Sequence, residues 1–554
     1  MLSIRSKAAQ QLFRVAGART LTMPPNEPAT NIDGENRTKL LEAIKKLESE
    51  TLEVPVISGG ERIFTGDCGY QSIPYDHAKK ITKYHKADEA LIRQTIEKSM
   101  AARKAWERTS FEERCTIFDK VLDLMCGKYR YDLLASTMVG QGKTAYEADI
   151  DVIMELVDFY RFDVYNGRKL MEGPELHQPP GIKNTLYYRG MEGFVAAVAP
   201  FNFSAIAGNL AGTPAIMGNV VLFKPASTAI HSSYMVMKIF EEAGLPAGVL
   251  NFVPSSGPVF GNGITSSPDL AAVNFTGSVG TFKNIWQNVA NNLDVYKTYP
   301  RLIGECGGKN YHFIHSSADV NRVVHCTMRA AFGYQGQKCS ACSRMYVPES
   351  LWPQIKEGLI EEHKKIKMGS PADIENTFVT AVIDEKSFDN IKSYIDFCNN
   401  SSEITVLAGG KCDKSVGYYV EPTIVQTTNP LNKMMKEEIF GPVVSIYVYP
   451  DAKCKETIEL CDQTNEFGLT GAIFAEDKDF IAEASDMLRD SAGNFYINDK
   501  CTGSIVQQQP FGGARMSGTN DKAGGLMYLL RWTSALVVKE TSGDPGPWQY
   551  PHMN

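Results

Sequence analysis

The stretch "GFVAAVAPFNFSAIAGNLAGTPAIMGNVVLF", residues 193–223, carries no charged side chain and is long enough to span a bilayer. Prolines and asparagines interrupt it at five positions: Pro200, Asn202, Asn209, Pro214 and Asn219. These interruptions favour a buried strand, a loop, a helix, a turn and a second strand inside a globular domain. We therefore expect no membrane span.

Further apolar runs follow this stretch, namely "VLNFV" (249–253), "AAVNFTG" (271–277) and "RLIGE" (301–305). Between the runs, residues 231–244 and 280–292 have helical spacing of their apolar side chains. Strands that alternate with helices predict an α/β fold with a parallel, doubly wound sheet covered on both faces. Ligands of such sheets bind at the carboxyl ends of the strands.

The rest of the chain divides into three parts. Residues 27–165 are mostly helical in pattern, and we assign them to the first domain as outer helices. A second series of strands and helices runs from about 310, at "YHFIH", to about 500. The stretch "GPELHQPPGIKNTLYYRG", residues 173–190, and the tail from about 502 match neither series and predict a projecting β hairpin that pairs with something outside the domain.

Composition favours a small-molecule partner. The 554 residues include 43% hydrophobic and 22% charged side chains, and the formal net charge of -7 lacks the basic bias of nucleic-acid-binding proteins. The 12 cysteines are spread along the whole chain, which indicates a reducing compartment and mostly free thiols.

The first 26 residues contain no acidic side chain before Glu27, and their basic side chains are Arg5, Lys7, Arg14 and Arg19. This composition is typical of a mitochondrial presequence, which we place at residues 1–22, and it predicts localisation in the mitochondrial matrix. Loss of the four positive charges would change the net charge from -7 to -11. The alternative is a frayed basic terminus.

Cys339 and Cys342 form a Cys-x-x-Cys pair in "FGYQGQKCSACSR", residues 332–344. A closed zinc site normally needs four ligands, and the sequence has no second such pair. A thioredoxin-type pair would follow the first strand of a small domain, whereas this pair follows a helix deep in a long chain. Either one thiol is a nucleophile or both are inert. A nucleophilic thiolate needs an oxyanion site and a base that releases the thioester.

Polar side chains at the ends of predicted strands could meet those needs. Glu305 could face a cleft as a carboxylate base, and Asn202 could donate its amide hydrogen to an oxyanion. Lys224 ends another apolar strand. The alternatives are a surface charge for Glu305, a turn residue for Asn202 and a solvated strand end for Lys224.

No G-x-G-x-x-G motif follows a predicted strand. A glycine turn opens a helix there instead, and its residues are Gly277, Ser278, Val279, Gly280 and Thr281. The free N–H groups at a helix N-terminus favour an anion, although such turns are also common as purely structural features.

Seven segments resemble the aldehyde dehydrogenase superfamily in order and spacing: "PFNF", "FKPAS", "FTGSVG", "ECGGKN", "GQKCSACSR", "EEIFGPV" and "PFGGARMSGTND". The resemblance implies the fold of that superfamily and NAD as cofactor. It implies a Rossmann-like NAD-binding domain (27–165 and 189–305), an α/β catalytic domain (306–501) and a β-flap with a tail for oligomerisation (166–188 and 502–554). A homodimer or larger even oligomer is expected.

The same resemblance implies roles for individual residues. Cys339 would attack the aldehyde, Asn202 and the Cys339 backbone N–H would stabilise the alkoxide, and Glu305 would activate water. The residues implied to hold NAD are Lys224 and Glu438 at the ribose, Phe440 at the nicotinamide, and the Gly277 to Thr281 turn at the pyrophosphate. Many relatives have a glutamate where this chain has Ser227, so the preference for NAD over NADP rests on the resemblance.

The segments "GQKCSACSR", "GNFYIND" and "CTGSIVQQQPFGGARMSGTND" resemble the branch that oxidises glutamate 5-semialdehyde in proline breakdown. The residues this implies at the substrate are Gly503 and Ser504 through their backbone N–H groups, Ser340, Phe203 and Phe511, and Glu155 at the ammonium end. Cys342 receives no role and is interpreted as a packed thiol.

Three alternatives stay open. The first is an aldehyde dehydrogenase for another semialdehyde. The second is a Cys/His hydrolase that pairs Cys339 with His312, His315 or His325. The third is a metal-binding or structural protein built around the cysteine pair, although the resemblance implies no metal.

Overall fold

The computed structural model describes residues 21–553. The presequence expected at residues 1–22 lies outside this range except for its last two residues. Within the described range, no helix is both long enough and apolar enough to cross a bilayer.

The first seven-stranded sheet contains the strands that the apolar runs predict. Its order is Arg301–Glu305, Leu270–Thr276, Phe194–Val198, Val220–Lys224, Leu250–Phe252, Val56–Ser58 and Glu61–Ile63. The first five strands are parallel, and the last two join them antiparallel. The predicted α/β class is therefore confirmed, and the carboxyl ends of the parallel strands face one edge.

Helices cover both faces of this sheet because each buries an apolar side. They are Gly34–Ser49, Glu89–Arg108, Phe111–Cys126, Arg130–Gln141, Ala145–Asp149, Leu156–Met171, Ser204–Ile216, Ile230–Ala243, Gly257–Thr265 and Val279–Asn291, with a π-helix at Ile150–Glu155. The helix Ser204–Ile216 is buried nearly all round, which explains its lack of charge. Ser110 and Glu113 form a reciprocal capping box that fixes the start of Phe111–Cys126.

The segment between residues 52 and 85 holds strands that the sequence did not reveal. A three-stranded sheet forms from Leu52–Val54, Cys68–Ile73 and Asp76–His85. The exposed residues of Asp76–His85 include two lysines in its first half, and its buried side chains lie together in its second half without alternating. The sequence therefore did not predict this strand, because its buried residues are confined to the second half, from Ile81 to His85.

The second seven-stranded sheet has the order Ile404–Ala408, Thr423–Thr427, Val443–Tyr449, Cys342–Pro348, Asn310–Ile314, Thr470–Phe474 and Asn494–Ile497. All its pairings are parallel except that of Ile404–Ala408. Its helices are Val320–Phe332, Trp352–His363, Glu385–Asn400, Lys433–Lys436, Cys454–Gln463 and Lys478–Met487. Two-residue strand pairs complete this half, whereas the short helix Leu526–Leu530 packs against the helix Leu156–Met171 of the first half.

Strands Ile182–Arg189 and Ser534–Thr541 pair antiparallel along their full length and form a two-stranded ribbon. They come from the two segments that matched neither series in the sequence. Leu536, Val537 and Val538 on the ribbon are exposed by 40%, 63% and 39% of their surface. The ribbon therefore presents apolar side chains and an edge that this chain alone leaves open.

Candidate active site

Polar residues from both sheets meet where the first sheet's parallel strands end. Asn202 follows the strand Phe194–Val198, and Glu305 ends the strand Arg301–Glu305. Opposite them lies the Cys339 loop (residues 333–341), which precedes the first strand residue Cys342 of the second sheet. The amide nitrogen of Asn202 donates a hydrogen bond of 3.1 Å to the carbonyl of Gln337. The site is therefore a cleft between the two sheets.

The Cys339 loop has an unusual backbone. Tyr334 and Gln335 adopt left-handed conformations with φ of 51° and 54°. The Gln335 side chain compensates for this strain by donating to the carbonyls of Gly142 and Ala381, both at 2.9 Å. Hydrogen bonds to residues outside the loop therefore fix its backbone and the position of Cys339.

The thiol of Cys339 is half-buried. Burial, and then the negative charges of Glu305 and Glu438, which repel the thiolate, raise its pKa to about 12. The carbonyl of Cys339 accepts a 2.7 Å hydrogen bond from the Asn310 amide. At neutral pH the free protein therefore holds a protonated thiol on an anchored backbone.

Glu305 is the candidate base, and its negative charge has the largest charge effect on the Cys339 thiol. Its carboxylate accepts the backbone N–H of Gly513 at 3.0 Å. Burial raises the pKa of Glu305 well above its ordinary value, against the lowering effect of the Gly513 hydrogen bond. A carboxylate with a raised pKa takes up a proton readily, which is what a general base requires.

Two buried residues support Asn202 and escaped the sequence analysis. The Asp151 carboxylate accepts the backbone N–H groups of Ser204 and Ala205 at 3.0 and 2.7 Å, where the helix after Asn202 begins. The ammonium of Lys143 binds Asp151 at 2.8 Å, and both side chains are fully buried. This ion pair fixes the turn that carries Asn202. In the sequence Lys143 and Asp151 are two charged residues within a helical stretch, and nothing in that pattern predicts a buried ion pair between them.

Lys143 also orients the neighbouring aromatic side chain. Its ammonium lies 3.9 Å from the ring centroid of Phe203 and 4.5 Å from that of Tyr334. The two rings contact each other edge to face at 6.2 Å. These contacts fix the orientation of the Phe203 ring beside the Cys339 loop.

The residues expected at the cofactor lie along the same edge. Lys224 ends its strand half-buried, and burial lowers its pKa to about 8. Glu438 accepts the backbone N–H of Gly308 at 2.9 Å, and burial raises its pKa to about 7. A Cβ on Gly307 would lie 2.1 Å from the Glu438 carboxylate, so this close approach requires glycine. Phe440, with φ of 57°, contacts Phe201 edge to face.

The glycine turn opens the 13-residue helix Val279–Asn291. The Ser278 hydroxyl accepts the Thr281 N–H at 3.3 Å, and Gly277 donates its N–H to the Glu305 carbonyl at 3.1 Å. Gly280 is exposed, and a Cβ built on it would meet nothing within 4 Å. The helix N-terminus is thus open to an anion, and with Lys224 and Glu438 these residues fit a bound dinucleotide.

The residues expected at the substrate carboxylate lie on one loop. Gly503 has φ of 89° and is exposed. Within residues 21–553, no group accepts the backbone N–H of Gly503 or Ser504. The hydroxyl of Ser340 is 2.7 Å from that of Thr502 and so joins this loop to the Cys339 loop. Two free N–H groups on an exposed loop can receive a carboxylate.

Phe511 and Glu155 approach from other elements. Phe511 is half-buried and exchanges two backbone hydrogen bonds with Ala523, at 2.9 and 2.8 Å. Glu155 ends the π-helix Ile150–Glu155, an element that often marks functional sites. Burial, and then the negative charge of Asp151, raise the pKa of Glu155 to about 8.

The histidines considered for a hydrolase bind elsewhere. Both ring nitrogens of His312 are engaged, one with the Thr327 hydroxyl at 2.9 Å and the other with the Cys501 N–H at 3.2 Å. His315 binds the Ser317 hydroxyl at 2.9 Å, and His325 is exposed on a helix. This arrangement offers no imidazole base for Cys339 among the three.

Known proteins resemble this chain along most of its length. A model of the aldehyde dehydrogenase family matches residues 69–538. The mitochondrial delta-1-pyrroline-5-carboxylate dehydrogenase of Bos taurus is 54% identical over 555 residues, covering 100% of this chain and 98% of the relative. That of Homo sapiens is 54% identical over 530 residues, covering 95% of this chain and 94% of the relative.

Solved structures also resemble this chain along most of its length. The crystal structure of delta-pyrroline-5-carboxylate dehydrogenase from Mycobacterium tuberculosis bound with NAD has a TM-score of 0.93 at 38% identity. It covers 98% of this chain and 100% of that chain. The 1-pyrroline-5-carboxylate dehydrogenase from Thermus with bound NAD has a TM-score of 0.88 at 29% identity, covering 94% and 100%.

The raised pKa of Cys339 predicts slow alkylation of this thiol by iodoacetamide at neutral pH. Because only the thiolate reacts, the rate should rise about tenfold per pH unit, with its midpoint well above that of free cysteine at about 8.5. In Glu438→Gln a like charge is lost, so alkylation at pH 8 to 9 should be faster than in the wild type. Mass spectrometry of the Cys339 peptide measures the rate. A midpoint at or below 8.5 would contradict the electrostatic account.

Proposed function

The chain belongs to the aldehyde dehydrogenase family, and we infer that it oxidises L-glutamate 5-semialdehyde to L-glutamate with NAD. The semialdehyde is in equilibrium with pyrroline-5-carboxylate, and the reaction is the second step of proline catabolism. The observation that carries this function is the meeting of Cys339, Glu305 and the Asn202 amide in one cleft, in a chain 54% identical to enzymes named for this substrate.

The mechanism begins with the sulfur of Cys339. The Cys339 thiol passes its proton to the Glu305 carboxylate, which releases it to solvent before the second half-reaction. The thiolate attacks the aldehyde carbon and forms a tetrahedral thiohemiacetal alkoxide. The amide of Asn202 and the backbone N–H of Cys339 donate hydrogen bonds to this oxyanion. For this to happen the Asn202 amide turns from the Gln337 carbonyl, 3.1 Å away, toward the new oxygen. Bound NAD supplies the acceptor for the hydride that the aldehyde carbon loses.

The second half-reaction releases the acid. The oxidised carbon is left as a thioester on Cys339, and Glu305 takes a proton from a water molecule as that water attacks the thioester. The Cys339 thiolate leaves and glutamate is formed. The raised pKa of Glu305 suits this step, because the carboxylate binds the proton strongly once it has accepted it.

Substrate recognition uses the ends of the amino acid. We place the α-carboxylate at the free N–H groups of Gly503 and Ser504, beside the hydroxyl of Ser340. Phe203 and Phe511 flank the methylene chain. Glu155 faces the ammonium, and this positive charge favours the ionised form of a carboxyl group whose pKa is otherwise raised to about 8.

The cofactor residues divide between the two halves of the chain. We assign NAD binding to residues 27–165 and 189–305, where Lys224 and the Gly277 to Thr281 turn lie, and catalysis to residues 306–501. Glu438 and Phe440 reach the cofactor from the catalytic half. The ribbon and the tail, residues 166–188 and 502–554, serve oligomerisation.

Substrate-dependent reduction of NAD tests the function. Absorbance of reduced nicotinamide should rise with glutamate 5-semialdehyde, and the specificity constant should exceed that for succinate semialdehyde, which lacks the ammonium group. Asn202→Ala should lower turnover by a factor of about 100 to 1000 while the affinity for NAD changes little. Cys339→Ala is the inactive control. Unchanged turnover in Asn202→Ala would remove the oxyanion assignment, and a lack of reduced nicotinamide with the wild-type protein would favour the hydrolase alternative.

The mitochondrial names of the relatives and the basic first 26 residues support a mitochondrial location, and we place the enzyme in the matrix. A fluorescent reporter fused to residues 1–26 should enter mitochondria. It should also resist protease added to mitochondria whose outer membrane has been removed and whose inner membrane is intact. A matched fusion with the four basic residues changed to glutamine should stay in the cytosol. Cytosolic fluorescence of the unchanged fusion would refute the presequence.

The exposed ribbon supports a homodimer or larger even oligomer, in which its open edge and apolar side chains meet another copy. Val537→Lys places a charge on the ribbon and should lower the mass measured by light scattering during gel filtration. Val416→Lys is the matched control, because Val416 is 59% exposed outside the ribbon, against 63% for Val537. An equal effect of both substitutions, or of neither, would argue against an interface at the ribbon.

A further inference from the structure

Behind the Cys339 loop lies a buried cluster of two thiols and an imidazole. The sulfur atoms of Cys342 and Cys501 and a ring nitrogen of His312 all lie within 4.8 Å of one another. The three side chains are at most 1% exposed. The Cys342 thiol donates to the Arg344 carbonyl at 3.6 Å, and the Cys501 thiol donates to the Ser340 carbonyl at 3.5 Å. The second cysteine of the Cys-x-x-Cys motif therefore has a chemical partner far away in the sequence.

Hydrogen bonding at His312 argues against a metal ion in this cluster. The Thr327 hydroxyl and the Cys501 backbone N–H already occupy the two ring nitrogens, at 2.9 and 3.2 Å. A metal on the nitrogen that accepts the Cys501 N–H would leave that buried N–H without an acceptor, which is costly. With the imidazole committed, the two thiols are the groups left free to react.

We propose that Cys342 and Cys501 are a redox-active dithiol that closes reversibly to a disulfide when a small hydroperoxide is present. The Cys501 thiol gives up its proton, and the thiolate attacks the terminal peroxide oxygen and forms a sulfenic acid. The O–O bond breaks, and the oxygen that leaves takes up that proton, so that water or an alcohol is released. The Cys342 thiol then attacks the sulfenic sulfur, the S–S bond forms, and the sulfenic oxygen leaves as water. The two sulfurs lose two electrons in total, and the peroxide accepts them. A dithiol reductant reverses the change.

Electrostatics at Cys501 suits the first step. Burial alone would raise the pKa of this thiol, but the adjacent Cys342 side chain and then the neighbouring His312 lower it below that of a free cysteine. Cys342 shows the opposite direction, since burial and the adjacent Cys501 side chain raise its pKa. One sulfur is therefore disposed to attack the peroxide, and the other remains a thiol that can resolve the sulfenic acid.

The disulfide would disturb the loop that we assign to the substrate carboxylate. The Cys501 thiol donates to the Ser340 carbonyl at 3.5 Å, and the Ser340 hydroxyl binds the next residue, Thr502, at 2.7 Å. Forming an S–S bond of about 2.05 Å removes the thiol hydrogen and draws Cys501 toward Cys342. This part of the inference rests on the proposed function, because it predicts weaker binding at Gly503 and Ser504.

Mass spectrometry of the full-length Cys339→Ala protein tests the dithiol without interference from the catalytic thiol. After treatment with hydrogen peroxide and alkylation in denaturant, a non-reducing digest should contain the Cys342 and Cys501 peptides joined, with two hydrogens fewer than the separate peptides. Two double variants are the controls: Cys339→Ala with Cys501→Ala, and Cys339→Ala with Cys342→Ala. Neither should give the joined peptides, and if only one of them folds, that one serves as the control. Full alkylation of both cysteines after peroxide, or stoichiometric zinc in the purified protein, would overturn the proposal.

Calorimetry with glutamate, the expected product, tests the link to the substrate loop. The oxidised Cys339→Ala protein should bind glutamate about tenfold more weakly than the reduced protein, as expected for the loss of one or two hydrogen bonds. Dithiothreitol should restore the affinity, and NAD binding should not change. Equal glutamate affinity in both forms would overturn the link. A disulfide in a protein that binds glutamate in neither form would count against the proposed function and leave the dithiol standing.

Discussion

The hydrogen bond from the Asn202 amide to the Gln337 carbonyl joins the two halves of the chain at the point where chemistry is possible. Asn202 belongs to the first sheet, and Gln337 belongs to the Cys339 loop that feeds the second. Each side of this bond is held by buried polar groups. The Lys143–Asp151 pair fixes the turn before the helix, and the Gln335 side chain fixes the left-handed loop. A carbonyl group can therefore be met by a sulfur and an amide whose positions are set before it arrives.

Negative charge surrounds the sulfur of Cys339 and disfavours its nucleophilic thiolate form. Glu305, Glu438 and Glu155 all raise the pKa of Cys339. The same repulsion keeps the resting sulfur as a thiol, and a thiol is much less sensitive to oxidation than a thiolate. Cys501 differs from it in this respect, since its neighbours lower its pKa. The sulfur that we propose as catalytic is thus kept as a thiol, whereas the sulfur that we propose to react with peroxide contacts the carbonyl of the next residue, Ser340.

Much of this architecture could be predicted from the sequence. The apolar runs gave the parallel strands of the first sheet, and the placement of Asn202, Lys224 and Glu305 after those strands predicted that they share one edge. Contacts between residues remote in the chain could not be predicted in this way. His312 and Cys501 are 189 positions apart, and local patterns carry no information about such a pair. The strand Asp76–His85 was missed because its first half is exposed and includes two lysines, and the buried residues of its second half do not alternate.

The ribbon joins residues 189 and 534, which are separated by 345 positions. At a translation rate of about 5 to 20 residues per second, strand Ile182–Arg189 waits on the order of 20 to 70 s for its partner to be synthesised. Both sheets can fold during that interval, because all their strands precede residue 498. The last strand to be made thus completes a surface on an otherwise folded body, and a chain cut short before it would carry a cleft but no ribbon.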